Sequence, residues 1–284
     1  MLRAGLLFIA LFLQQDEAKP LPQLETFLAD FRKSLHTDDL LLSDYTYTEK
    51  QTSIELDSNR KPKKTEVNVF QVFPGSCERP EYRRQTVKKG VPVPAKELEK
   101  QDQKHQKEIG SDARGSRRRG LRARRRAKEC EDQFKDEAKI LDDLFSVYDI
   151  RIAGRERVAE KTTLVITFKP RPNYNTKTRE GGIMKHVAGR AWVSEEDHQL
   201  ARIEAEVIDT ISIGFGMLAK LQKGTRIMEE RHKFNEEVWL PSRVELSLGA
   251  RVLMLKGINR QESVEYSDHK KFSVDTILTF PDVK

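Results

Sequence analysis

The chain has 284 residues, 37% of them apolar and 34% charged, which is enough apolar material for one large all-β domain and does not require two. Its net charge of +7 has a local source. Nine cations between Arg114 and Lys128, with no acid among them, exceed that excess, so the rest of the chain is slightly negative. A surface basic throughout, of the kind that tracks nucleic acid, is thereby excluded, and no aromatic lies between Val91 and Gln133 to stack on bases.

Met1-Leu2-Arg3 followed by the apolar run Ala4 to Leu13 reads as the charged and hydrophobic regions of a secretory signal, expected to occupy residues 1–19. About ten apolar residues are too few to span a bilayer. Pro22 is placed as the first residue of a helix, in which Leu24, Phe27, Leu28, Phe31 and Leu35 repeat at helical spacing and demand an apolar partner surface. Strands are then expected from Tyr45 to Asp57, Thr65 to Phe73 and Tyr82 to Val87. Residues from about 91 to 133 are almost wholly polar and read as a charged, flexible insertion, a solvated helix broken by a loop. Phe134, Ala138, Leu141, Leu144, Phe145 and Tyr148 return to helical spacing as a second amphipathic helix.

From about Asp149 onward, strand follows strand. Residues two apart share a face of a strand, so the alternation of Ala201, Ile203, Ala205 and Val207 with Arg202, Glu204 and Glu206 means a sheet with one apolar side. The pattern recurs in Leu164, Ile166 and Phe168, in Val244, Leu246 and Leu248, and in Phe272 to Phe280. Turns are expected at Gly181-Gly182, at Glu195-Glu196-Asp197, where the acids are solvated, at Asn235-Glu236 and at Asn259; Ile213-Gly214-Phe215-Gly216 reads as a bend. The expected fold is mainly β within an α+β class: a wide, curved antiparallel sheet of about ten strands, a half-barrel. Its concave face is covered by the N-terminal helix and the second helical segment.

Catalytic signatures are missing from the sequence. The six histidines have no metal-ligand spacing, no serine sits in a Gly-x-Ser-x-Gly elbow, and no lysine follows a phosphate-cradling loop, so no enzyme activity, metal or cofactor is implied. Cys77 and Cys130 are too far apart for a metal or redox motif, and whether they pair is open. Trp192 and Trp239 sit in strands and are read as core rather than cavity lining. Residues that can wall an apolar cavity are Val67, Val69, Leu164, Ile166, Ile203, Val207, Val244 and Leu246. Arg117, Arg118, Arg119, Arg124, Arg125 and Arg126 are candidates for binding anionic headgroups, an attraction that fades with salt.

Several short motifs carry a resemblance: Tyr45-Thr46-Tyr47 opening the sheet, Phe168-Lys169-Pro170-Arg171-Pro172 ending one strand, Gly189-Arg190-Ala191-Trp192-Val193 before an acidic hairpin, and Glu237-Val238-Trp239-Leu240-Pro241. With the N-terminal helix they resemble the LolA/LolB-like outer-membrane lipoprotein-sorting superfamily, over roughly Pro22 to Lys284. The resemblance implies one half-barrel domain over residues 20–284, in an exported, periplasmic protein. It further implies a monomeric, non-enzymatic carrier whose partners are lipid or lipoprotein acyl chains and, through the Arg-rich loop, an anionic membrane surface. The Arg-rich insertion departs from that pattern. Alternatives are a structural or protein-interaction β module with a filled core and, below it, a nucleic-acid binder using the Arg-rich segment.

Overall fold

A computed structural model describes residues 19–42, 44–75, 81–113, 128, 136–213, 219–252 and 256–271. The strands are β1 (Tyr45–Leu56), β2 (Pro62–Phe73), β3 (Tyr82–Lys88), β4 (Val91–Pro92), β5 (Tyr148–Val158), β6 (Lys161–Pro170), β7 (Val187–Ser194), β8 (Leu200–Val207), β9 (Ile211–Ile213), β10 (Ala219–Leu221), β11 (Arg226–Phe234), β12 (Val238–Val252) and β13 (Lys256–Lys271). The helices are α1 (Leu24–Leu42), α2 (Ala95–Ala113), α3 (residues 136–147) and α4 (Arg179–Met184). The thirteen strands among the described residues form one antiparallel sheet in the order β4-β3-β2-β1-β13-β12-β11-β8-β7-β6-β5, with β10 joining the far end of β12 and β9 joining β10. It is the wide, open, curved sheet with helices that the alternation predicts. The additional short elements, β4, β9, β10 and α4, have two to six residues each, too few to register a period.

Helix α1 lies across the β5–β8 half of the sheet. Phe27 and Phe31 are buried against Leu164 and Ile166 of β6, Ala191 and Val193 of β7 and Leu200 of β8, and Leu28, Leu35 and Phe145 of α3 pack on the same cluster. Each such fully buried side chain contributes about 1.5–3 kcal/mol. The Phe31 and Phe145 rings meet edge to face at 6.2 Å, so both helices share one core, as their spacing requires. Pro22 precedes α1 instead of opening it, since the helix begins at Leu24.

Helix α2 attaches at the other end of the sheet by polar groups. Gln101 accepts from the Gln85 backbone N–H at 2.9 Å and donates to the Gln85 carbonyl at 3.2 Å, capping the outer edge of β3. Asp102 accepts from Arg84 and from the Tyr82 hydroxyl, and the Tyr82 ring stacks on His105 at 4.1 Å. An edge strand with open hydrogen-bonding groups invites pairing with other chains, and a glutamine amide closes it.

Two expected turns fall elsewhere. Gly181-Gly182 lies inside α4, which Thr178 caps by accepting from the Gly181 N–H at 2.9 Å. The buried Asp143 of α3 accepts in turn from the Lys177 and Thr178 backbone N–H groups and from the Thr178 hydroxyl. A Cβ at Gly181 would sit 2.3 Å from the Asp143 carboxylate, so this glycine is required by close approach and not by a turn. Asn259 lies within β13, paired with Leu56 on one side and Gly249 on the other; a residue bonded on both flanks is mid-sheet.

The hairpin between β7 and β8 is a junction and not a solvated tip. Arg155 of β5 donates twice to Glu195, at 2.7 and 2.8 Å, and also holds the Lys19 and Pro20 carbonyls. Asp197 accepts from Lys233 at 2.8 Å and from the Trp239 indole at 3.0 Å. The Arg155 hydrogen bonds, with Lys19 beside them, outweigh partial burial and hold the Glu195 carboxyl at about 2 against an ordinary 4.5. A depressed carboxyl stabilises the fold fully above its ordinary pKa and loses that contribution as pH falls through the folded value. Glu195→Gln is therefore expected to lower the Tm at neutral pH and to flatten its decline between about pH 4.5 and 2, as read by thermal melts across that range.

Candidate functional site

Residues paired across an antiparallel ladder point to the same face, so the register sorts side chains into two sets. One row runs Ile166, Ala191, Ile203, Glu229, Val244, Val264, Gln51 and Asn68; the next on the same face runs Phe168, Gly189, Ala205, Ile227, Leu246, Glu262, Ser53 and Glu66. This face, the inner one, carries α1. Between these rows, on the outer face, runs Thr167, Arg190, Glu204, Met228, Glu245, Ser263, Thr52 and Val67, and beyond it Val165, Trp192, Arg202, Glu230, Arg243, Glu265, Lys50 and Val69.

The eight apolar candidates consequently separate into three places. Leu164 and Ile166 are sealed beneath α1. Ile203, at the margin of that cluster, and Val244 and Leu246 farther along the inner face are half-buried, and Val207 is buried. Val67 and Val69 belong to the opposite face. Along these two rows the inner face changes character: apolar through β6, β7, β8 and β12, it is polar at β1 and β2 with Gln51, Ser53, Asn68 and Glu66. The partly buried middle is a strip of Ile203, Ile227, Val244, Leu246 and Val264, in which Ile227 keeps 43% of its surface exposed and Glu229, bound by Arg231, stands between Ile203 and Val244.

At one end of that strip lies a cluster that the alternation reading passes over. Glu49 is only 4% exposed; it accepts from Arg83 at 2.6 Å and from Gln51. Arg83 also lies over the Phe70 ring, 4.9 Å from its centroid, and Glu81 approaches it at 3.8 Å. Arg231 donates to Glu229 at 2.6 Å. Tyr47 faces Tyr266 at 5.6 Å and His269 at 5.8 Å. Burial, reinforced by Glu49, pushes both the Tyr47 and Tyr266 hydroxyls up to about 12, so both remain protonated donors, and burial lowers His269. The available signal was Glu49 sharing its alternation phase with Tyr45 and Tyr47, an acid on a side that aromatics declare buried.

The outer face holds a second small core and a charged lattice. Trp192 and Trp239 are 3% and 1% exposed and pack with Val158, Val165 and Ala201, which makes both tryptophans core. Ala201 joins this outer group, and not Ile203, because a bulge between Trp192 and Val193 places one extra residue in β8. A shallow groove of about 460 Å³ is lined mostly by outer-face residues, including Arg190, Glu204, Met228 and Glu245. Its charges are internally paired: Arg190 with Glu204 at 2.9 Å, Arg226 with Glu206 at 2.9 Å, and Arg243 with Glu245.

Among the described residues no group of His, Cys, Asp or Glu is placed to hold a metal, and no described helix is long and apolar enough to cross a membrane. Arg117, Arg118, Arg119, Arg124, Arg125 and Arg126, the signal-like segment, Cys77 and Cys130, the bend at Gly214-Phe215-Gly216 and the Phe272 to Phe280 strand lie outside the described residues. Helix α2 takes up the first part of the charged insertion.

No protein-family model matches the sequence, and no curated protein matches it. Among solved structures the chain is similar to a LolA superfamily protein from Nitrosomonas europaea, with 8% identity, 89% of this chain and 96% of that chain covered, and a TM-score of 0.34. It is similar also to a putative outer membrane lipoprotein-sorting protein domain from Vibrio parahaemolyticus, with 7% identity, 89% and 95% covered, and a TM-score of 0.36.

Proposed function

We propose that this protein is an exported, non-enzymatic carrier that holds the acyl chain of a lipid or lipoprotein along the inner face of its sheet. The supporting observation is the strip of Ile203, Ile227, Val244, Leu246 and Val264, partly accessible, joined through Ile203 to the core that α1 seals and running past Glu229 by way of Ile227. Contiguous apolar surface left accessible on a folded sheet marks a place for an apolar ligand, and each buried methylene of that ligand gains about 0.8 kcal/mol. One long acyl chain is then sufficient for useful affinity before the entropy of binding is subtracted. Native mass spectrometry of gently purified protein, followed by titration with a single-chain amphiphile, is expected to show one acyl-bearing molecule per chain. If bare protein is the only species in both, the inner face is filled from within and the interaction-module reading replaces this one.

A further inference from the structure

Resting on that carrier reading, we infer that the polar cluster at the end of the strip is a headgroup subsite that selects single-chain amphiphiles with no net negative charge, uncharged or choline-type zwitterionic heads, over free fatty acids. The position carries the first part of the argument. Tyr266 stands two residues beyond Val264 on β13 and pairs with Glu49 of β1, so the cluster continues the same inner face as the strip. An acyl chain lying on the strip with its head at this end meets these side chains.

Charge carries the second part. A fatty acid at neutral pH presents a carboxylate, and a site selective for it needs a cation not already satisfied by protein. Here Arg83 is engaged by the buried Glu49, with Glu81 nearby, and Arg231 by Glu229. At the strip's other margin the cations are also paired, Lys64 and Lys89 with Glu66 and Arg260 with Glu262. Carboxylates Glu49, Glu81 and Glu229 face Arg83 and Arg231, an acidic balance that disfavours an incoming anion. What the cluster offers instead is two tyrosine hydroxyls, the Gln51 amide and the Tyr47 and Tyr266 ring faces, which suit glyceryl hydroxyls or a quaternary ammonium.

Monopalmitin, palmitoyl lysophosphatidylcholine and palmitate share one chain length and differ in their heads, so competition among them below their aggregation concentrations at pH 8 reads the head alone. The wild-type protein is expected to bind the first two about tenfold more tightly than palmitate, the size of effect that one unfavourable charge contact produces near a protein surface. Glu49→Gln leaves the Arg83 guanidinium without its buried partner and is expected to tighten palmitate selectively, whereas Arg83→Gln leaves Glu49 alone and is expected to weaken it further. Opposite shifts cannot arise from a shared loss of folding, which thermal melts of both variants monitor independently. Equal binding of all three amphiphiles, or a ranking unmoved by either variant, overturns the headgroup subsite while leaving the carrier reading intact. Failure of all three to bind overturns both.

Discussion

Leu164→Asp is expected to unfold the protein, while Leu246→Asp is expected to leave it folded and unable to hold an acyl chain. Both residues sit on the inner face, yet Leu164 is 0% exposed beneath Phe27 and Phe31 and Leu246 is only half-buried on β12. A carboxylate at Leu164 has no polar partner in its cluster, and an unpaired buried charge costs several kcal/mol, on the order of 3–5 kcal/mol here, a large share of a domain's stability. At Leu246 the carboxylate reaches solvent, and the cost is expected to stay near 1 kcal/mol. Urea denaturation midpoints set against amphiphile titrations separate the two. Comparable loss of stability at both positions would mean that the strip is ordinary core and would remove the support for the carrier reading.

Gly189→Ala is the second large effect, with destabilisation on the order of 3 kcal/mol expected from overpacking. A Cβ built at Gly189 lies 2.1 Å from the Glu204 backbone carbonyl, 2.8 Å from the Phe168 ring and 2.9 Å from the Ala205 Cα. Backbone atoms of β8 cannot yield without breaking the β7–β8 ladder, so the strain falls on the strand pairing itself. Gly257→Ala in β13 is the control, because nothing lies within 4 Å of its built Cβ, and its effect is expected to stay within about 0.5 kcal/mol. Chemical denaturation of the two variants checks the contrast; matching stabilities would exclude close approach as the reason for the glycine at 189.

The two-residue alternation was enough to identify β1, β2, β3, β6 and β8 and to anticipate one broad antiparallel sheet, because period 2 is a local property of an extended chain. Helical spacing likewise placed Phe27, Phe31 and Phe145 on faces needing a partner, and they meet in one core. What alternation leaves undetermined is which face each strand presents to the common interior. Val67 and Val69 alternate as cleanly as Val244 and Leu246, yet the pairing of Val244 with Val264, Val264 with Gln51 and Gln51 with Asn68 puts the β2 valines on the other side. That phase is set by registers between strands distant in sequence, and a single bulge, as at Ala201, resets it.

Charge pairing was equally hidden. Glu195 and Glu49 read from sequence as acids on strands or turns, and their partners Arg155 and Arg83 stand 40 and 34 residues away. Composition and local period determined the fold class of this protein and where its helices must bury their faces. Which apolar residues are sealed, which form an accessible strip and which charges meet at its end were decided only by tertiary structure, because each depends on contacts between segments whose own local preferences do not mention one another.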